Sequence, residues 1–178
     1  MGSPQLNRPH YSVAEYESLA QSAKEGERYE YRDGILISFL DEYTSADHNQ
    51  VVQNAADLLK VHFYPRDCRV YTENVRLQVR EDGEYRLPDV MVTCSPRDRE
   101  SNDCKRDPVL LIEVLSPRTA IQDLAVKADS YRGLSTLLVY LVINPAETWV
   151  RVYARDENGG WLTDVAYTNI SDCFTPPG

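Results

Sequence analysis

The sequence predicts an α/β fold in which a mixed central sheet is flanked by helices. Three observations carry this. Helical and strand-like segments alternate in the order helix, hairpin, helix, three strands, helix, strand, hairpin. The run "TLLVYLVINP" is apolar without alternation, as expected of a strand covered on both faces. In "SADHNQVVQNAADLLKVHFYP", Val51, Val52, Ala55, Leu58, Leu59 and His62 recur at helical spacing until Pro65 ends the pattern.

The elements follow from local signals. "SVAEYESLAQSAKEGE" reads as an N-terminal helix, with Ser12 as N-cap and Glu15 completing a capping box. "RYEYRDGILISFL" reads as two strands joined by an Asp33-Gly34 turn. After the second helix, "CRVYTENVRLQV", "YRLPDVMVTC" and "PVLLIEVLS" read as three strands. The turn Glu81-Asp82-Gly83-Glu84 separates the first two, and the polar loop "SPRDRESNDCKRDP" precedes the third. "RTAIQDLAVKADSYRGL" reads as a helix closing near Gly133. "TWVRVYARD" and "GWLTDVAY" form a last hairpin around Asn158-Gly159-Gly160.

The 178 residues, 42% of them hydrophobic, suit one domain with a sizeable core. The expected core spans about 11–155, with flexible ends at 1–10 and 170–178. No apolar run is long enough to cross a membrane, and the N-terminus has no apolar signal core. Cys68, Cys94, Cys104 and Cys173 are widely spaced, with no C-x-x-C pair, and read as reduced thiols of a cytoplasmic protein. A formal charge of −9 argues against a basic nucleic-acid coat protein. It is compatible with an enzyme whose acidic site is screened by metal ions.

Two carboxylates stand out because each lies in an apolar strand. Asp89 follows Pro88 in "YRLPDVMVTC", and Glu113 sits within "PVLLIEVLSP". Burying a carboxylate is costly unless something positive meets it. If the strands pair, the two side chains can converge at the sheet's edge, where they must share a proton or bind a cation. Hard oxygen donors favour Mg²⁺ or Mn²⁺. Asp123, Lys127 and Tyr131 are spaced four apart in the helix that follows, so they share one face and can reach back toward the pair.

These features resemble the PD-(D/E)XK nuclease superfamily, and within it the Uma-type bacterial endonuclease family with a restriction-endonuclease-like fold. The runs "PDVMV", "LLIEVLSPRT", "DLAVKADSYRGL" and "YLVINP" carry the resemblance, with "YEYRDGILI" and "HNQVVQNAADLL" upstream. The superfamily's usual lysine lies two residues after the acid, where this chain has Leu115. In the Uma-type branch the lysine is displaced into the next helix. Two other departures are Val139, where a polar residue is common, and a short C-terminal end.

The resemblance implies a Mg²⁺- or Mn²⁺-dependent endonuclease acting on nucleic acid, most simply DNA. It casts Asp89, Glu113 and the Val114 backbone carbonyl as metal ligands, Lys127 as the catalytic lysine and Asp123 as its support. Glu30 and His48 match further family positions, and Tyr131 stands beside them as possible support. A homodimer is expected, because cutting both strands takes two sites.

Plainer readings stand beside these. Asp89 could stabilise the turn after Pro88, and Glu113 could pair with Arg118. Lys127 could be an exposed helix lysine bonded to Asp123. Glu30 could be a solvated strand residue, His48 a helix-terminal one, and Tyr131 a packing residue. Arg97, Arg99, Lys105 and Arg106 form a basic loop that could touch a phosphate backbone or simply be solvated. Two other functions remain open: a nuclease fold that binds nucleic acid or protein without cutting, and an acidic metal protein acting on a small phosphoester.

Overall fold

The computed structural model describes residues 9–38, 45–116, 122–162 and 165–174. Helix α1 (Val13–Ser22) begins at the expected capping box: Ser12 Oγ accepts from the Glu15 N–H, and Glu15 Oε2 accepts from the Ser12 N–H at 2.7 Å. It buries Tyr16 against Tyr31 and Tyr85, with ring centroids at 5.1 and 4.7 Å. The hairpin of β1 (Tyr29–Arg32) and β2 (Ile35–Ser38) turns at Asp33 and Gly34. Both have positive φ, 48° and 87°, as a tight two-residue turn requires. Helix α2 (Ala46–Phe63) is capped by Ser45 and buries His48, Val52 and Ala56.

Two runs expected to be single strands are each broken in two. "CRVYTENVRLQV" becomes β3 (Arg69–Thr72) and β4 (Arg76–Arg80). The break falls at Glu73 and Asn74, whose φ values of 37° and 57° take the chain out of extended geometry. "YRLPDVMVTC" becomes β5 (Glu84–Arg86) and β6 (Val90–Thr93). Here Pro88, which has no N–H to donate, occupies the gap. The Glu73 N–H donates to the Asp89 carbonyl at 3.0 Å, so the two breaks are fastened together.

At this crossover the strands pass from one sheet to another. The first sheet has the order β2-β1-β5-β4-β7, with β7 (Cys104–Lys105) parallel to β4. The second has the order β11-β10-β9-β8-β6-β3. It is built from β8 (Pro108–Val114), β9 (Val139–Asn144), β10 (Trp149–Ala154) and β11 (Val165–Tyr167) together with β6 and β3. Strands β8 and β9 are parallel, while β6 and β8 are antiparallel. The mixed sheet flanked by helices is therefore present, divided in two. The loop expected between β6 and β8 also holds a short helix, α3 (Pro96–Glu100).

Strand β8 is the spine. Its even residues Leu110, Ile112 and Val114 join Val52 and Ala56 of α2 in one apolar cluster. Leu111 faces the other way, into a cluster with Ala128 and Tyr131. Those two belong to α4 (Ala128–Arg132), which continues a π-helical turn at Gln122–Lys127. Glu113 follows Leu111 by two residues, so strand alternation aims it at the α4 side.

The cysteine reading needs correction. Cys68 and Cys94 form a disulfide, with Cα atoms 4.1 Å apart. They flank the Arg69–Thr93 pair of β3 and β6, so register makes them cross-strand partners despite a separation of 26 residues. Cys104 and Cys173 are free thiols. The cysteines therefore no longer argue for a reducing compartment. Among the described residues, no helix is long and apolar enough to cross a membrane.

Candidate functional site

The register of β6 and β8 pairs Val90 with Ile112. Continued one step further, that register would set the Asp89 backbone opposite Glu113 at the strand ends. Asp89 Oδ2 accepts the Val114 N–H at 2.7 Å and lies 3.4 Å from His48 Nε2. Its side chain remains 19% exposed. Burial weighs against a charged His48, but the Asp89 carboxylate, the Val114 carbonyl and Glu73 outweigh it, and its pKa is raised. No hydrogen-bond partner reaches its other ring nitrogen, Nδ1, which is buried.

Glu113 is 3% exposed and lies in a line of buried charges. Lys127 Nζ is 2.9 Å from Glu113 Oε1 and 3.6 Å from Glu30 Oε1. The Tyr131 hydroxyl donates to Glu113 Oε1 at 2.8 Å. Lys127 and Tyr131 are four residues apart, and both come to bear on the same oxygen. The π-helical turn ends at Lys127, a device common at functional sites because it re-aims side chains. Burial and the nearby Glu113 carboxylate keep the Tyr131 hydroxyl protonated, far above its ordinary range.

Glu30 links this group to a second one. Its Oε1 accepts the Leu87 N–H at 3.1 Å, and its Oε2 is 3.0 Å from Arg86 Nη1. Arg86 also grips Glu84 Oε1 through Nε at 2.8 Å and Nη2 at 2.6 Å. Burial opposes the guanidinium's charge, but Glu30, Tyr131 and Glu84 outweigh it and hold Arg86 firmly cationic. Three carboxylates and two cations thus alternate from Glu84 through Arg86, Glu30 and Lys127 to Glu113, all buried.

The plainer readings of Lys127 and Glu30 therefore give way. Lys127 is buried at 4% and engages Glu113, and Glu30 is buried at 1%. Tyr131 both packs, edge-on to Tyr140, and bonds Glu113. The Asp123 side chain and Arg118 lie outside the described residues. The basic loop does not gather into one surface. Lys105 is buried against the carbonyls of Asp98 and Ser101 and over the Tyr71 ring. Arg106 bonds Gln78 and Arg99 pairs with Asp67, while Arg97 is exposed.

Sequence reasoning missed Glu84 and Arg86. Glu84 was assigned to a turn, and Arg86 drew no attention. The available signal was alternation: in Glu84-Tyr85-Arg86 the two charges fall on one face and Tyr85 on the other, against Tyr16.

The donors suit a hard divalent cation in part. Among the described residues, no three His, Cys, Asp or Glu side chains are grouped to hold a metal ion. Asp89, Glu113 and the Val114 carbonyl offer the kind of oxygen donors that Mg²⁺ accepts when it keeps waters and shares a substrate phosphate.

The sequence profile of the Uma2 family, described as "Putative restriction endonuclease", matches residues 13–172. The protein slr1290 of Synechocystis is 31% identical over 160 residues, covering 90% of this chain and 82% of its own. Protein sll1609 of the same organism is 29% identical over 153 residues, covering 85% and 84%. Both carry the name "Uncharacterized protein". A crystal structure from Anabaena variabilis, described as "a putative nuclease belonging to DUF820", aligns with a TM-score of 0.72 at 18% identity. The alignment covers 94% of this chain and 89% of that one. At that identity the likeness is one of fold.

Proposed function

The chain belongs to the Uma2 family, and from that premise we propose that it is a divalent-metal-dependent endonuclease hydrolysing phosphodiester bonds of nucleic acid, most simply DNA. One observation carries the reading: Lys127 reaches Glu113 at 2.9 Å from the following helix, while Leu115 holds the superfamily's usual lysine position. Asp89, Glu113 and the Val114 carbonyl would hold Mg²⁺ or Mn²⁺. When bound, the metal would lower the pKa of a water and offset charge on the phosphate.

The chain's own groups have definable tasks. Lys127, cationic between two carboxylates, can orient a water or offset charge developing on the phosphate. Tyr131 fixes one oxygen of Glu113, and His48 with the Val114 N–H fixes one of Asp89. Glu30, clamped by Arg86, holds Lys127 from behind. Asp123 would support the helix turn that carries Lys127. Double-strand cutting would place two such sites in a homodimer, which light scattering tests.

Calorimetry with Mn²⁺ on the wild type and Glu113→Gln tests the site. Binding to the wild type alone, with Mn²⁺-dependent cleavage of DNA, is expected. Equal binding by both proteins overturns the ligand assignment. A second reading has its own observation. Lys127 already pairs with Glu113, so that carboxylate has a counter-charge without metal. A silent nuclease fold that only binds nucleic acid would show strand binding with no cleavage at any metal concentration.

A further inference from the structure

A cleft of about 520 Å³ opens beside the crossover that carries Asp89, and the catalytic reading makes no use of it. Its walls include Arg28, Tyr29, Asn74, Arg76 and Leu87. Leu87 precedes Asp89 by two residues and donates its N–H to Glu30. Asn74 follows Glu73, whose N–H bonds the Asp89 carbonyl. The cleft and the carboxylate pair thus share the same two chain breaks.

The cleft presents one arginine without a carboxylate partner. Arg28 lies within ion-pair distance of no carboxylate among the described residues. Its Nη1 is held only by the Asn74 side-chain oxygen, at 3.1 Å. Asn74 can take that place because its φ is 57°, a left-handed conformation that asparagine tolerates. Arg76 lines the cleft too. It pairs with Asp103 through Nη2 and stacks over the Tyr16 ring, and its side chain is 14% exposed. Two acids also line the cleft, and both are engaged. Asp103 takes Arg76, and Glu27 accepts the Lys24 N–H at 3.0 Å. Arg28 is the cation left without a counter-charge among the described residues, and a phosphate supplies one.

We propose that this cleft is a phosphate subsite, in which Arg28 and Arg76 receive a backbone phosphate of the nucleic-acid strand flanking the one held at Asp89 and Glu113. The proposal rests on the nuclease reading and deepens it by naming where the strand leaves the centre. A contact of this kind fixes the strand's register without reading its bases. Arg99 and Arg106 of the loop before β8 do not serve this end, since both are engaged within the protein.

The test is fluorescence anisotropy of a labelled oligonucleotide across a salt series, in a Glu113→Gln background that cannot cut. Arg28→Ala is compared with Arg66→Ala, which removes an exposed arginine elsewhere. Losing one phosphate contact lowers the magnitude of the salt slope by about 0.7–0.9 and weakens binding uniformly across sequences. Arg28→Ala is expected to show both, and Arg66→Ala neither. Arg76→Lys, which keeps the charge but loses the fork, should weaken binding in the same direction. Unchanged affinity and slope in Arg28→Ala overturn the subsite. Inorganic phosphate that binds the wild type and not Arg28→Ala, with no strand binding, assigns the cleft to free phosphate and overturns the strand contact. Mn²⁺ calorimetry on Arg28→Ala separates the two levels. Strand binding that depends on Arg28, in a chain that never binds Mn²⁺, supports the subsite and sinks the metal-dependent reading.

Discussion

Arg86→Met isolates what the buried charge line contributes. Arg86 is 2% exposed, and it makes three hydrogen bonds to two carboxylates that are each 1% exposed. Methionine keeps much of the volume and removes the charge. Glu30 would retain the Leu87 N–H and Lys127 at 3.6 Å. Glu84 would retain Arg80 at 3.4 Å and Arg32 at 4.0 Å. Neither loses every partner, but both lose the nearest. Removing one member of a buried pair costs about 3–5 kcal/mol, because a carboxylate is left without its counter-charge. The triple variant Glu30→Gln, Glu84→Gln, Arg86→Met removes the stranded charges as well, and should recover most of the loss. Urea denaturation followed by Trp149 and Trp161 fluorescence measures both. A loss under about 1 kcal/mol for Arg86→Met, or a triple variant no more stable than the single one, would refute this account of the line.

Two other perturbations give separate readings. Tyr131→Phe removes the hydroxyl donated to Glu113 while keeping the ring against Tyr140, and should cost about 1.5–3 kcal/mol by the same denaturation assay. An unchanged midpoint would mean that Glu113 does not depend on the Tyr131 hydroxyl. Reducing Cys68–Cys94 opens a link across 26 residues, and chain entropy puts its contribution at about 3.5 kcal/mol. Denaturation with and without reductant should show a shift of that order, absent in a Cys68→Ala, Cys94→Ala variant.

The parts of the fold that local chemistry decides were legible. The Ser12–Glu15 capping box, the Asp33-Gly34 turn, helix α2 and the apolar strand at Val139–Asn144 each carry their signal within a few residues, although the α2 stripe holds only at Val51, Val52, Ala55 and Leu59, with Leu58 and His62 exposed. The division into two sheets was not legible. It depends on Glu73 and Asn74 adopting positive φ in a run that otherwise reads as continuous strand. The site divides along the same line. Asp89 and Glu113 betrayed themselves as charges in apolar surroundings. Arg86 sits in a charged stretch, and its meaning comes from Glu30, which is 56 residues away in sequence and adjacent through β1 and β5. Cys68 and Cys94 were misread for a related reason, since only the β3–β6 register brings them together.

The displaced lysine leads to a stricter test. Glu113 and Leu115 are two apart, and Leu115 continues the strand's hydrogen bonding by donating its N–H to the Ile143 carbonyl. Alternation therefore puts the two side chains on one face. Leu115 is only partly buried, against the cluster that also holds Leu124. A lysine at 115 could reach Glu113 from its own strand, whereas Lys127 reaches it from the helix. If the chemistry needs an ammonium at that carboxylate and is indifferent to the element supplying it, the position can be exchanged. Lys127→Met should lower cleavage by about 10²–10⁴-fold, the usual size of a positioned proton-transfer or charge-stabilising group. Adding Leu115→Lys should restore at least about tenfold of that, corresponding to roughly 1.4 kcal/mol of barrier. Both variants must still bind Mn²⁺ and unfold cooperatively for the comparison to count. A folded, metal-binding double variant no faster than Lys127→Met would mean that Lys127 matters for its second contact, at Glu30, which a strand-borne lysine does not reproduce.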